Sequence, residues 1–256
     1  GLLAATLGPG PTIAIDAVSY VVSSAGLFLV SRDLRPPADR VPSPLIAEVH
    51  EGIVHIVHDP LLRSAILVFA TFSAAIAALV SGLAFRITHE LGQSPTALGA
   101  VMTAWGVGAV VGSLAAGRVG RETRIAPVLL GSLGLAAVAL VGIALVESVP
   151  AMAALAALFG AGESVTAVTY ISVRAAYSPD QLLGRIAGTA RVMALALQPV
   201  GMLVGGWLLD AVGSRATLGL MGLTVGLIAL LAAPARPLRT SPVSPARSAG
   251  NLTGDN

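Results

Sequence analysis

Five stretches of this chain run far enough without a charged side chain to cross a lipid bilayer, and that constrains most of what it can fold into. They are Ser64 to Phe85, Leu91 to Gly117, Ile125 to Val146, Val192 to Leu209 and Ala216 to Ala235. Crossing the hydrocarbon layer as a helix takes about 20 apolar residues. Two further stretches are each interrupted by a single acid: Pro11 to Ser31 by Asp16, and Ser148 to Val173 by Glu163. The expectation is an all-α polytopic membrane protein with seven transmembrane helices. Gly1 to Leu7 is apolar but too short to cross, and reads as the tail of an eighth, cut helix.

The charge content agrees. Only 11% of the 256 residues are charged, whereas a soluble domain carries about a quarter. Such a chain cannot cover a water-facing surface. All 15 basic residues are Arg, they sit in the connections, and aromatics are only 4%. No basic face for nucleic acid arises. Cysteine is absent, which removes disulfides and thiolate metal sites. No signal-peptide pattern follows Gly1, and the true N-terminus is expected upstream.

Arginine placement sets the expected orientation. With the segment Arg32 to Arg63 in the cytoplasm and strict alternation from there, 13 arginines face inward and only Arg86 and Arg215 fall outside. The C-terminus is then cytoplasmic and Gly1 lies on the outer side. If the intact protein starts in the cytoplasm, an odd number of spans precedes this chain.

Residues 32–61 form the longest polar connection, opening on Arg32-Asp33-Leu34-Arg35-Pro36-Pro37. A short amphipathic helix is expected from Ser43, a candidate N-cap followed by Pro44, to about Asp59. At 100° per residue Leu45, Ile46, Val49, Ile53, Ile56 and Val57 share one arc, with Glu48, Glu51, His55, His58 and Asp59 opposite. Such a helix lies on the inner membrane surface or against the bundle. The three histidines have no spacing that places all of them on one face, so a solvated polar face is expected, not a metal site. Residues 62–235 carry the remaining spans, and 236–256 read as a disordered cytoplasmic tail. Within the spans, Gly108-x3-Gly112, Gly201-x3-Gly205 and Gly222-x3-Gly226 are small-residue pairs of the kind that let helix backbones approach closely in lipid.

Glu163 is the most informative single residue. An ionised carboxylate mid-span costs several kcal/mol unless paired, hydrated or protonated. Thr166, Tyr170 and Arg174 follow at i+3, i+7 and i+11, within an arc of about 80°. Such a stripe could line a polar cavity, with Glu163 loading a proton or neutralising a cation; the alternative is a neutral acid hydrogen-bonded between helices. Asp16 has Ser19, Tyr20 and Ser23 on its own face near the outer end of its span, where a helix-packing hydrogen bond is the expected role. Gln198-Pro199 removes a hydrogen bond from the ladder and is expected to kink its helix. Two connections cluster charge, Arg118 to Arg124 and Arg174 to Arg191. The first is expected to be topogenic, the second to act in conformational switching. No His-Glu-x-x-His, Gly-x-Ser-x-Gly or P-loop pattern is present, so neither an enzyme nor a resident cofactor is expected.

The chain resembles the major facilitator superfamily, in particular its bacterial drug and siderophore exporter branch. Ile15-Asp16-Ala17-Val18-Ser19-Tyr20-Val21-Val22-Ser23 is similar to that branch's sixth helix, and His58-Asp59-Pro60-Leu61-Leu62-Arg63 to the entry into its seventh. The strongest match is Arg174-x4-Pro179-Asp180-Gln181-Leu182-Leu183-Gly184-Arg185 followed by Arg191, which is similar to the loop between helices ten and eleven. Pro199-Val200-Gly201, Gly205-Gly206 and Asp210 match the eleventh helix; Gly117 to Arg124 is only loosely similar to the loop between helices eight and nine and lacks its Asp. The resemblance implies helices six to twelve of twelve, with five upstream. It implies an inner-membrane efflux permease for small amphipathic molecules, coupled to protons and working by alternating access. Glu163, Thr166 and Tyr170 would line the cavity, and Arg174, Pro179, Asp180, Gly184, Arg185 and Arg191 would form a cytoplasmic gate. The implied partners are a small-molecule substrate, the proton and the bilayer, and the intact protein is expected to be a monomer. Uptake, or a non-transporting assembly role, are the alternative readings.

Overall fold

The computed structural model describes residues 8–29, 45–118, 123–179 and 182–243. Their helices are α1 (Pro9–Phe28), α2 (Leu45–His58), α3 (Pro60–Ala75), α4 (Leu79–Phe85), α5 (Pro95–Gly117), α6 (Ile125–Leu145), α7 (Val149–Tyr177), α8 (Leu183–Ala232) and the short α9 (Arg236–Thr240). A π-helical turn, Arg86–Glu90, continues α4. Several starts are written locally. The Asp59 carboxylate accepts the backbone N–H groups of Leu61 and Leu62 at 2.8 and 3.0 Å ahead of Pro60, so Asp59 is the N-cap of α3 and not a member of the polar face of α2. Ser94 and Ser148 cap α5 and α7 in the same way, each followed by proline in the first turn. A side-chain acceptor at that place satisfies an otherwise orphaned N–H, and proline has none to lose.

Among the described residues six helical rods are long and apolar enough to cross a membrane: Gly10–Phe28, Pro60–Glu90, Pro95–Gly117, Ile125–Leu145, Val149–Tyr177 and Leu183–Ala232. The last has 50 residues, which at 1.5 Å per residue is about 75 Å, far more than one bilayer core. It divides at Gly213, whose backbone (φ 79°, ψ 171°) is the one non-helical point inside it. We call the two parts α8a (183–212) and α8b (214–232). Among the described residues each of the seven apolar stretches of the sequence is thus largely helical. The interruption between the last two apolar stretches is the non-helical backbone at Gly213, where a φ of that sign is open to glycine and strained for other residues; Pro199 lies inside α8a.

Close backbone contact holds the bundle together. Gly108 and Gly112 of α5 lie on the backbone of Ala157 and Ala161 of α7, and Gly160 of α7 lies on that of Trp105 and Ala109. Gly201 and Gly205 of α8a meet Ala74 and Ala78 beside α3, and Gly222 of α8b meets Val141 and Ala137 of α6. A Cβ at Gly108, Gly112 or Gly201 would overlap a facing carbonyl. Lipid supplies no hydrophobic drive between helices, so this dense contact is their main source of attraction. The interior is filled by Leu62, Phe72, Leu79, Leu133, Leu140 and Phe159, each at most 1% exposed. Outward faces are apolar as well: Val107, Val110, Val111 and Leu114 on α5, Leu203 and Trp207 on α8a, Leu230 and Leu231 on α8b. Helix α1 has none of its span buried. A helix apolar on all sides needs hydrocarbon around it. The molecule is an integral membrane protein.

At the end that carries the π-helical turn, the polar groups are tied together. Arg86, only 3% exposed, donates to Glu90 at 3.3 Å and to the Val146 carbonyl beyond α6 at 2.9 Å. Glu90 in turn accepts from the backbone N–H and the hydroxyl of Ser214, at 2.9 and 2.6 Å. The turn after α4, the end of α6 and the Gly213 break are thereby one network. At the opposite end α2 docks on α8a. Gly52 sits against the Arg185 backbone and the Thr189 hydroxyl, Ile56 is buried, and Glu51 forms an ion pair with Arg185. Of the expected apolar arc, Ile53 and Val57 remain exposed. The side of α2 that meets the bundle is centred on Gly52, where the absence of a side chain lets the two backbones meet.

The expectation that 236–256 is a disordered tail needs correction for its first part. Pro237 opens α9, Leu238 is buried, and Val243 donates its N–H to the Thr123 carbonyl at 2.8 Å. The Tyr177 hydroxyl adds a bond to the Pro242 carbonyl at 2.8 Å. An apolar anchor and satisfied backbone groups hold this stretch on the inter-helix connection. The rest of the tail, Gly1 to Leu7, and the Ser43-Pro44 helix start lie outside the described residues.

Candidate functional site

Helix α7 is the hub of the site, because it packs on α5, α6 and α3 together. The close approach of Gly108 and Gly112 to α7 brings Trp105 alongside Glu163, and the indole N–H donates to the Glu163 carboxyl at 2.7 Å. Among the described residues Trp105 is the one hydrogen-bond partner of that acid. Phe159 fixes the indole from the side, edge to face, with ring centroids 5.3 Å apart. Thr166 turns to a different neighbour. It is fully buried, and its hydroxyl shares a bond of 2.8 Å with Ser132 of α6 while donating to the Gly162 carbonyl at 2.9 Å. Tyr170 faces α3, stacked on Phe69 with centroids 4.1 Å apart and planes 5° from parallel. Arg174 lies over the Tyr170 ring at 5.3 Å and donates to its hydroxyl at 3.3 Å.

The stripe expected on one face of α7 therefore divides among three helix contacts. Glu163 goes to α5, Thr166 to α6, and Tyr170 with Arg174 to a cleft against α3 and α8a. That cleft has a volume of about 490 Å³ and brings in Ser73, Arg191 and Gln198. Four of the residues singled out in the sequence, Tyr170, Arg174, Arg191 and Gln198, thus meet in one place. Glu163 and Thr166 do not line it.

The other expected gate residues are dispersed. Pro179 is exposed, and its carbonyl accepts the Leu182 N–H at 2.9 Å. Gly184 is exposed with open space where a side chain would be. Arg185 is engaged by Glu51 of α2. Asp180 lies outside the described residues. Asp16 sits on the exposed α1, where its backbone carbonyl accepts the Ser19 hydroxyl at 2.7 Å.

Sequence reasoning missed Trp105, Ser132, Phe69 and the Arg86–Glu90–Ser214 network. A signal existed for two of them. An indole N–H inside an apolar span needs an acceptor, and Glu163 is the acid nearest mid-span on another helix; Arg86 and Glu90 stand at i, i+4, the spacing of a helical ion pair. Nothing in the sequence pairs Ser132 with Thr166.

A bundle of membrane-crossing helices with polar side chains set between them is the build of a polytopic membrane protein. This chain belongs to the Major Facilitator Superfamily, whose family model matches residues 67–253. It is similar to Multidrug efflux pump Tap of Mycolicibacterium fortuitum, with 27% identity over 234 residues, covering 91% of this chain and 57% of that protein. The chain thus spans little more than half the length of that relative.

Proposed function

We propose that this chain is the portion from helix six to helix twelve of a proton-coupled efflux transporter that moves small amphipathic molecules outward by alternating access. Helix α1 would be helix six, α2 part of the cytoplasmic linker, and α3 to α8b the C-terminal six-helix half. The arginine-rich ends and the C-terminus would face the cytoplasm. Family membership and the likeness to an efflux pump support the class of activity.

The observation that carries the coupling is the Trp105–Glu163 hydrogen bond within the membrane-crossing helices. An ionised carboxylate accepts an N–H bond far more strongly than a neutral acid does. Protonation of Glu163 would weaken its hold on Trp105 and loosen α5 against α7, and deprotonation would restore it. An acid that changes helix contact when it changes charge is what proton-driven alternation requires. Arg185 and Glu51 would break and reform at the cytoplasmic end during the same motion. Pro179, Asp180 and Gly184 would belong to that gate.

The test is accumulation of a fluorescent drug in cells expressing the full-length gene. Expression is expected to lower accumulation, and a protonophore or Glu163→Gln to restore it while insertion in the membrane is unchanged. Undiminished export by Glu163→Gln would retire the coupling role, and export indifferent to the protonophore would retire proton drive altogether.

A further inference from the structure

The cleft between α3, α7 and α8a holds two guanidinium groups, Arg174 and Arg191, and no acid among its lining residues. Three other arginines are paired with acids, Arg86 with Glu90, Arg185 with Glu51, and Arg215 with Glu147 at 4.0 Å, while Arg63 and Arg118 donate to the backbone carbonyls of Val57 and Leu114. Among the described residues Arg174 has only the Tyr170 ring and hydroxyl, and Arg191 has no acidic partner. From this we infer that the cleft binds an amphipathic anion, one carboxylate or phosphate group on a flat apolar body. The inference rests on the transporter reading and deepens it by naming the charge class of the ligand.

Both ends of such a ligand have a counterpart. A guanidinium presents a planar fork of donors that matches a carboxylate or phosphate with two parallel bonds. Arg174 is held over Tyr170, so it is oriented in advance. Arg191 lies eight residues into α8, about 12 Å along the helix from its start. Arg191 is exposed in the cleft, so its charge is within reach of an entering anion. The apolar body has the stacked Phe69–Tyr170 pair and the side chains of Ile171, Ala194 and Leu195 to lie against. Gly188 and Ala190 keep the α8a wall shallow, and the volume of about 490 Å³ suits a drug-sized molecule. Gln198 and Ser73 offer uncharged donors and acceptors along the same cleft. A cation of the same shape would meet two like charges and, among the described lining residues, no acid, which is how a site rejects the wrong partner. Glu163 lies outside this cleft, so the proposed proton site and the anion site are separate.

The test uses the purified full-length protein and two probes of one shape, 2-naphthoate and 2-naphthyltrimethylammonium, in equilibrium binding. Naphthoate is expected to bind at least tenfold more tightly than the cation. Arg191→Ala and Arg174→Ala should each weaken naphthoate roughly tenfold and erase the preference, whereas Arg191→Lys, which keeps the charge, should retain the preference. Equal binding of the two probes, or tighter binding of the cation, overturns the inference; so does undiminished naphthoate binding by both alanine variants. Phospholipid supplies the same headgroup chemistry as a free organic anion, and repeating the titration in nanodiscs tells them apart. Displacement by phosphatidylglycerol but not phosphatidylcholine assigns the cleft to a lipid phosphate, and retention of naphthoate in both assigns it to a soluble anion. Efflux in cells with no anion preference would sink only this inference, while anion binding without any efflux would sink the transporter reading and leave the site standing.

Discussion

The two ends of the bundle handle arginine in opposite ways. At the end of α4, Arg86 is buried, paired with Glu90 and bonded to the Val146 carbonyl, and Glu90 is answered again by Ser214. At the other end, Arg174 and Arg191 stand in an open cleft with an aromatic ring and a glutamine for company. An ion pair tied to two further helix ends favours one arrangement of the helices it joins, even with the buried Arg86 Nε left without a partner, whereas charge without an acid partner in a cleft is available to something that comes and goes. The first end behaves as structure and the second as a site. Substitutions should divide accordingly, stability at one end and binding at the other.

Arg86→Ala should have the largest effect on stability. It leaves Glu90 without its cation and the Val146 carbonyl without a donor, at a cost of about 3 kcal/mol, read as a lowered denaturation midpoint of the full-length protein in detergent. Gly213→Ala comes next. It forces a side chain into a backbone conformation that only glycine adopts freely, costing about 2 kcal/mol in the same measurement. Ser214→Ala removes one of the two donors on Glu90 and should cost about 1 kcal/mol. Arg185→Ala should cost less than about 1 kcal/mol, because its partner Glu51 is half exposed. It should nevertheless slow transport, since the pair ties α2 to α8a; turnover equal to that of the unaltered protein would demote it to an orientation signal. Arg191→Ala should leave the midpoint within about 0.5 kcal/mol of the parent while binding is lost. A large loss of stability there would break the comparison between the two ends.

What could be read in the sequence follows from what periodicity and charge report. The spans were legible because Ile125 to Val146 and its counterparts carry no charge at all, and an uncharged run of that length matches the thickness of the hydrocarbon layer as a helix. The division of α8 was legible as a polar interruption at Asp210 to Arg215, but not as a single glycine with both flanking residues still helical. The polar positions of α7 were legible too. Their division was not, because a helical wheel gives the direction of a side chain from its own axis and says nothing of which neighbour waits there. The neighbour is set by Gly108, Gly112 and Gly160, whose missing side chains pull α5 onto α7 and place Trp105 beside Glu163. The Gly-x3-Gly spacing was visible, but its partner helix was not. In the same way Leu238 and Pro237 secure α9 through a contact with no local signature.

Everything said of ends, cleft and coupling depends on the direction in which the helices cross the bilayer. A direct measurement uses one cysteine placed at Gln93, between the π-helical turn and α5, or at Thr240, at the close of α9, each as the single cysteine of the full-length protein in intact cells; this chain contributes no other. A membrane-impermeant maleimide is predicted to label the Gln93 position from outside and to reach the Thr240 position only after the cells are opened. Labelling of both positions from the same side would contradict the account.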